Sequence, residues 1–278
     1  MDLIDAHIHF WDPERLHYAW LEDIPALHRP FEPEEVPAGR QRYVFVQADC
    51  RAEETWAEIE WVGELARQHP ILGIVAYAPL HEGAAARPEL ERLAGHELVV
   101  GVRRLLQGEP ESLLRSDDLA SGVQMLAEFG LTFDACVTHE QLPAVTALAV
   151  RCPDSTIVLD HLGKPDVARH KLYPWRADLA ALADRPNVVC KLSGLTTEAD
   201  HDAWTPDDLR PYLEQALACF GPERCLVGSD WPVSTLATSY ERWFDVLLEF
   251  LADLPAPERE AILSGNASRV YRLRSDRH

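Results

Sequence analysis

Eight short segments rich in apolar and β-branched residues recur along the chain, separated by longer helix-like stretches. This recurrence constrains the fold more than any other feature. The segments are residues 3–9, 43–48, 71–77, 98–103, 132–137, 156–161, 187–192 and 225–230. Their starts lie roughly 24 to 40 residues apart, the length of a strand with a crossover helix. Helices are expected over 53–68, 117–129, 141–151, 175–183, 206–220, 240–252 and 258–264. The best-marked start is Thr205-Pro206-Asp207-Asp208. It supplies a hydroxyl cap, a proline at the first helical position and carboxylates at the positive helix end. Alternation of strand and helix implies a parallel sheet covered by helices. Eight such units predict an α/β fold closed into a (β/α)8 TIM barrel, with an open doubly wound sheet as the alternative.

The chain has 278 residues, 47% of them hydrophobic and 26% charged, enough apolar surface to bury a core without disulfides. No internal repeat or Gly/Ser-rich linker divides it, so 1–278 is read as one domain. With 46 acidic against 26 basic residues the formal charge is −20, which argues against nucleic acid or an anionic membrane as partner. Six cysteines form no C-x-x-C pair, and most sit beside apolar runs. They read as buried thiols of a cytoplasmic protein rather than a disulfide framework or zinc cluster. No secretory leader and no run of about 18 apolar residues is present. No glycine-rich phosphate loop follows any segment. The longest irregular stretch, 11–37, is dense in Pro, Trp, Tyr and His, and a loop of that length suggests a functional element.

A parallel barrel builds its site at the carboxyl ends of its strands, so the polar residues at segment ends are the candidates. The first segment ends His7-Ile8-His9, and period-two alternation sends both imidazoles to one side. The sixth ends Asp160-His161 and the eighth Gly228-Ser229-Asp230. Each alone is equally readable as a core histidine or a helix cap. Four on one rim point to a site.

These residues carry a resemblance. The run Asp5-Ala6-His7-Ile8-His9-Phe10-Trp11-Asp12-Pro13, then Val158-Leu159-Asp160-His161-Leu162-Gly163-Lys164-Pro165 and Gly228-Ser229-Asp230-Trp231-Pro232, resembles the amidohydrolase superfamily in its branch of small-molecule lactonases and decarboxylases. The tail Gly265-Asn266-Ala267-Ser268-Arg269-Val270-Tyr271 fits the same pattern, so the likeness covers nearly the whole chain. Cys190-Lys191-Leu192-Ser193-Gly194-Leu195, followed by Thr197-Glu198-Ala199, is most similar to sugar lactonases of the L-fuconolactonase type. The resemblance implies hydrolysis of a small-molecule lactone. Asp230 would act as general base on water, and His7, His9 and His161 would polarise the carbonyl and stabilise its oxyanion. The alternative is a metal-dependent decarboxylase or amide hydrolase. Metal-dependent relatives commonly add a lysine or glutamate after the fourth strand and a histidine after the fifth. Here stand Gly101-Val102-Arg103-Arg104 and Ala135-Cys136-Val137-Thr138, with His139 beyond. A metal is therefore expected to be optional: none, or one divalent cation, zinc by preference, on His7, His9 and Asp230.

Weaker candidates for substrate contact are Arg103, Gln47, Lys191 and Trp231. Each has a plain structural alternative: an ion pair, a backbone hydrogen bond, a buried charge pair and packing before proline. Trp11, Tyr18 and Trp20 could cover a sugar ring, but anchoring of the long loop is the favoured reading. Trp56 and Trp61 read as core. The oligomeric state is left open.

Overall fold

The computed structural model describes residues 2–37, 39 and 41–274. Eight parallel strands form one sheet in sequence order. They are β1 (Leu3–Ile8), β2 (Gln41–Val46), β3 (Ile71–Ala76), β4 (Val99–Arg103), β5 (Thr132–Ala135), β6 (Ile157–Leu159), β7 (Val188–Leu192) and β8 (Cys225–Val227). The ring closes just past β8, where Ile8 bridges Trp231 in parallel. There the Asp230 N–H donates to the His7 carbonyl at 2.8 Å, and the His9 N–H to the Trp231 carbonyl at 2.7 Å. The fold is a single-domain TIM barrel, as the alternation implies.

Around it lie α1 (Thr55–Leu65), α2 (Arg87–Ala94), α3 (Glu111–Leu114), α4 (Asp117–Phe129), α5 (Leu142–Arg151), α6 (Trp175–Ala183), α7 (Pro206–Phe220), α8 (Tyr240–Phe250), α9 (Ala256–Glu260) and α10 (Asn266–Val270). The α7 start behaves as its sequence predicts: the Thr205 N–H and hydroxyl both donate to the Asp208 carboxylate, at 2.7 and 2.8 Å. Helix α2 is not visible in the pattern. It buries only Leu90 and Leu93, too narrow a stripe to register as periodicity.

Two apolar layers result. The larger packs the outer strand faces against the helices. The smaller joins alternate strand residues, among them Ile4, Val44, Val158, Val189 and Leu226, to Ala267, Val270 and Tyr271 of the carboxyl-terminal segment. That segment thus reaches the residues beneath the site. In the 11–37 loop, Trp11 and Phe31 bridge antiparallel, and the Trp11 indole N–H donates to the Leu27 and Arg29 carbonyls. Trp11 and Tyr18 are buried anchors, as favoured from sequence, and Trp61 is core. All six cysteines are free thiols. Among the described residues no helix is long and apolar enough to cross a membrane.

Candidate active site

Three imidazoles surround one carboxylate. His7 and His9 bring their Nε2 atoms to 3.2 Å, and Asp230 Oδ1 lies 3.7 Å from His7 Nε2, 3.4 Å from His9 Nε2 and 3.7 Å from His161 Nε2. A register shift between Asp5 and Ile8 lies where β1 delivers His7. His161 and Asp230 do not sit in strands. β6 ends at Leu159 and β8 at Val227, and both residues adopt left-handed backbone, at φ +52° and +56°. Such conformations cost about 1–3 kcal/mol each in a non-glycine residue and persist only where surrounding contacts enforce them. For Asp230 those contacts include its N–H bond to His7 and the Ser234 N–H that its own carbonyl accepts.

Every site imidazole is held by a second partner. His9 Nδ1 donates to the Val46 carbonyl at 2.7 Å, which fixes its tautomer because a carbonyl only accepts. His161 Nδ1 is paired with the Ser193 hydroxyl at 2.9 Å. Gly194, at φ +64°, permits this: a Cβ there would lie 2.5 Å from His161 Nδ1. His7 Nδ1 faces two groups, Asp160 Oδ1 at 3.2 Å and Lys191 Nζ at 3.1 Å. Lys191 also binds Asp134 Oδ2 at 2.6 Å and Asp160 Oδ1 at 2.9 Å, and the Tyr271 hydroxyl donates to Asp134 Oδ2 at 2.6 Å.

Burial first, and then neighbouring Lys191, pushes the His7 pKa well down. Burial likewise lowers His9, and takes His161 down to about 4. The three rings are therefore neutral near pH 7. For Asp230 burial acts upward but is outweighed, first by facing His161 and then by the hydrogen bond to His9, so its carboxyl stays below the ordinary range and ionised. The result is one charged base among neutral rings.

A cavity of about 400 Å³ opens over this cluster. His9, His161 and Asp230 form part of its wall with Arg103, Lys164 and Asp49, and Trp20, Ile24, Leu105 and Val233 supply apolar surface. His7 is fully buried behind them. Of the expected substrate contacts, only Arg103 lines the cavity. Its guanidinium donates to the Gln47 carbonyl, and among the described residues no carboxylate lies within ion-pair distance of it. The other three need correction. Gln47 is buried and accepts from the Asp49 N–H, so it supports Arg103 instead of facing the cavity. Lys191 has no exposure at all, because two carboxylates hold it beneath His7. Trp231 packs edge-on against Phe10 and Phe31, outside the cavity lining. Trp20, unlike Trp11 and Tyr18, faces the cavity, with its indole N–H on the Ala48 carbonyl.

Lys164 is the notable omission from the sequence reading. It follows His161 in a run already singled out, but its left-handed backbone (φ +48°) and its Nζ bond to Gln107 Oε1 at 2.5 Å leave no mark in sequence. His139, off the ligand position expected of metal-dependent relatives, pairs with the Lys164 carbonyl at 3.1 Å.

The donor set fits a divalent cation. Zinc–nitrogen bonds of about 2.0–2.1 Å at tetrahedral angles separate ligand atoms by about 3.3 Å. The edges of the His7–His9–Asp230 triangle are 3.2, 3.4 and 3.7 Å. His9 Nε2 carries a bare lone pair, Asp230 is anionic, and Asp160 can accept a proton from His7 Nδ1.

A sequence profile described as amidohydrolase matches residues 4–273. The chain belongs to the amidohydrolase-2 family. This amidohydrolase is 36% identical to an L-fucono-1,5-lactonase of Burkholderia multivorans, over 97% of this chain and 96% of that one. It is 33% identical to an L-fucono-1,5-lactonase of Burkholderia ambifaria, over 97% and 95%. Its fold superposes with a TM-score of 0.86 on the crystal structure of an amidohydrolase from Burkholderia multivorans with bound zinc, at 34% identity, covering 99% of this chain and 100% of that one.

Proposed function

We propose that this amidohydrolase hydrolyses a sugar-acid lactone, L-fuconolactone or a related aldonolactone. The observation that carries the reading is the ionised Asp230 ringed by neutral His7, His9 and His161 at the edge of a cavity sized for a small molecule. Its similarity to the two Burkholderia lactonases supports the substrate class.

In the reaction Asp230 takes a proton from water as the oxygen attacks the lactone carbonyl carbon. The oxyanion that forms is stabilised by donors already in place, which act on charge present only after attack. Donor accounting divides the imidazoles. His9 has its one proton on Val46 and offers none to the substrate. His161 can accept a hydrogen bond from the Ser193 hydroxyl at Nδ1 and present Nε2–H to the cavity. Arg103 and Lys164 add positive charge on the same wall. When the tetrahedral centre collapses the ring C–O bond breaks, and Asp230 returns its proton to the departing alkoxide, opening the ring to a hydroxy acid. A divalent cation held by His7, His9 and Asp230 would supply Lewis-acid polarisation and lower the pKa of water.

The test is proton release from a panel of aldonolactones with wild type and Asp230→Asn. Loss of the base is expected to cut turnover by at least 10²-fold, the lower range for a general base, with the fold intact. Unchanged turnover in the variant would remove Asp230 from the reaction. Failure of the wild type on every lactone would remove the substrate class. Zinc-dependent decarboxylation or amide cleavage would then be the reading to pursue, since the same triangle serves a metal.

A further inference from the structure

The candidate active site occupies the carboxyl-terminal mouth of the barrel, and a second cavity opens at the opposite end. It measures about 200 Å³ and lies where three strands begin: Thr156, Asn187 and Arg224 stand directly before β6, β7 and β8. Arg269 of α10 and Arg272 of the turn after it complete the wall, with Val189 and Val270 as apolar lining. No acidic residue lines it. Three arginines therefore share one small space in a chain whose formal charge is −20. Nine other arginines form ion pairs with carboxylates, and among the described residues these three form none. Even Glu223, next to Arg224 in sequence, offers Arg269 its backbone carbonyl and not its carboxylate.

Two of the guanidiniums are fixed in place without being used up. Arg224 donates its Nη1 hydrogens to the Arg185 carbonyl at 3.0 Å and the Val188 carbonyl at 3.1 Å, which leaves Nε and Nη2. Arg269 spends Nη2 on the Glu223 carbonyl at 2.5 Å and Asn266 Oδ1 at 3.1 Å, which leaves Nε and Nη1. Arg272 makes no hydrogen bond to a described residue. Its backbone is left-handed, at φ +51°, and its guanidinium fills the space that a Cβ on Gly130 would need. Spare N–H groups on rigid, permanently charged forks match the oxygens of a phosphoryl group, and three of them neutralise its charge. We propose that this cavity binds a phosphoryl group, free or at the end of a small phosphorylated metabolite, with Arg224, Arg269 and Arg272 as donors. The anion relieves the repulsion among three like charges and ties the carboxyl-terminal segment to the entries of β6, β7 and β8. The site is separate from the lactone cavity, so it stands whether or not the lactone reading does.

The probes are inorganic phosphate and a hexose 6-phosphate, titrated calorimetrically into the full-length protein at low ionic strength and without lactone. Half-saturation of the wild type below about 1 mM is expected for at least one probe. Arg269→Gln and Arg272→Gln, both at exposed positions, should each weaken binding by about 10-fold or more, since each removes charge-assisted bonds. Arg67→Gln, which removes an exposed arginine elsewhere, should bind as the wild type does. Tighter binding of the ester assigns the site to a metabolite, and equal or weaker binding assigns it to the free ion; both support the proposal. Absence of saturation with either probe overturns it, as does an equal loss in Arg67→Gln. Undiminished binding in Arg269→Gln and Arg272→Gln also overturns it, and loss in Arg103→Gln would then place the anion in the catalytic cavity. Should Arg269→Gln fail to fold, Arg272→Gln decides alone, because it breaks no hydrogen bond to a described residue.

Discussion

Replacing Gly194 by alanine would test how tightly the site is held. A Cβ at this position lies 2.5 Å from His161 Nδ1 and 2.7 Å from its Cγ, against about 3.4 Å for an ordinary contact. The imidazole must therefore retreat by about 1 Å or the loop must move, and the 2.9 Å bond to Ser193 cannot survive unchanged. A misplacement of that size in a reacting group costs about 10²-fold in rate, near 2.7 kcal/mol of transition-state free energy. Stability falls as well, by about 1–2 kcal/mol for a side chain at φ +64° and about 1–3 kcal/mol for crowding. Gly221→Ala is the control. Gly221 has a similar φ, +69°, but nothing within 4 Å of its Cβ, so it carries a backbone cost alone. Lactone kinetics and urea midpoints should show both variants destabilised and only Gly194→Ala slow. Equal kcat/KM in the two would refute the claim that His161 must sit where Gly194 lets it.

Two further tests address charge. Glu58 is buried and accepts from the Ala48 N–H at 3.0 Å; burial above all pushes its carboxyl up to about 7. Because the folded pKa is raised, its stabilising contribution is full below pH 4.5 and is lost as pH rises through about 7, by about 3 kcal/mol at pH 9. Glu58→Gln should therefore gain on wild type by about 2.5 kcal/mol between pH 5 and pH 9 in urea titrations, since the loss begins near pH 4.5; a constant difference contradicts the shift. Equilibrium dialysis should find one zinc per chain, abolished by His9→Ala and by Asp230→Asn. Zinc retained in full by both variants would move the cation away from the triangle.

The legible part of this protein was what periodicity encodes. Strand recurrence encodes the barrel, and alternation alone puts His7 and His9 on one side. His161 and Asp230 stand out by residue type at the end of an apolar run, although the strands stop short of both. Left-handed backbone has no signature in a run such as Leu159-Asp160-His161, so the loops that aim these residues were invisible. The supporting charges were hidden for another reason. Lys191 and Asp134 lie in strands 57 positions apart and meet only after β5, β6 and β7 align. A buried lysine in a strand signals that it must be paired, yet not with whom. Gln47 and Trp231 do not line the cavity, because a place near a strand end does not say whether a side chain faces the mouth or the wall.

Charge also gives the proposed reaction a direction. An aldonolactone is neutral and its product at neutral pH is a carboxylate, so hydrolysis creates an anion inside the cavity and releases a proton. Asp230, Asp49 and Asp23 line that cavity against two cations, Arg103 and Lys164. Before the reaction the cations face a neutral ligand, with Arg103 on the Gln47 carbonyl and Lys164 on Gln107 and Glu198, and keep donors that can turn to the developing oxyanion. Afterwards Asp230 is ionised again and confronts a second carboxylate at short range, which favours departure. The chain's charge of −20 adds a weaker, salt-screened push of the same sign. Product inhibition should therefore be weak at low ionic strength and grow as salt screens the repulsion. Inhibition that instead falls with added salt would mean that Arg103 and Lys164 dominate the field, and that release of the acid is held back by the residues that help to form it.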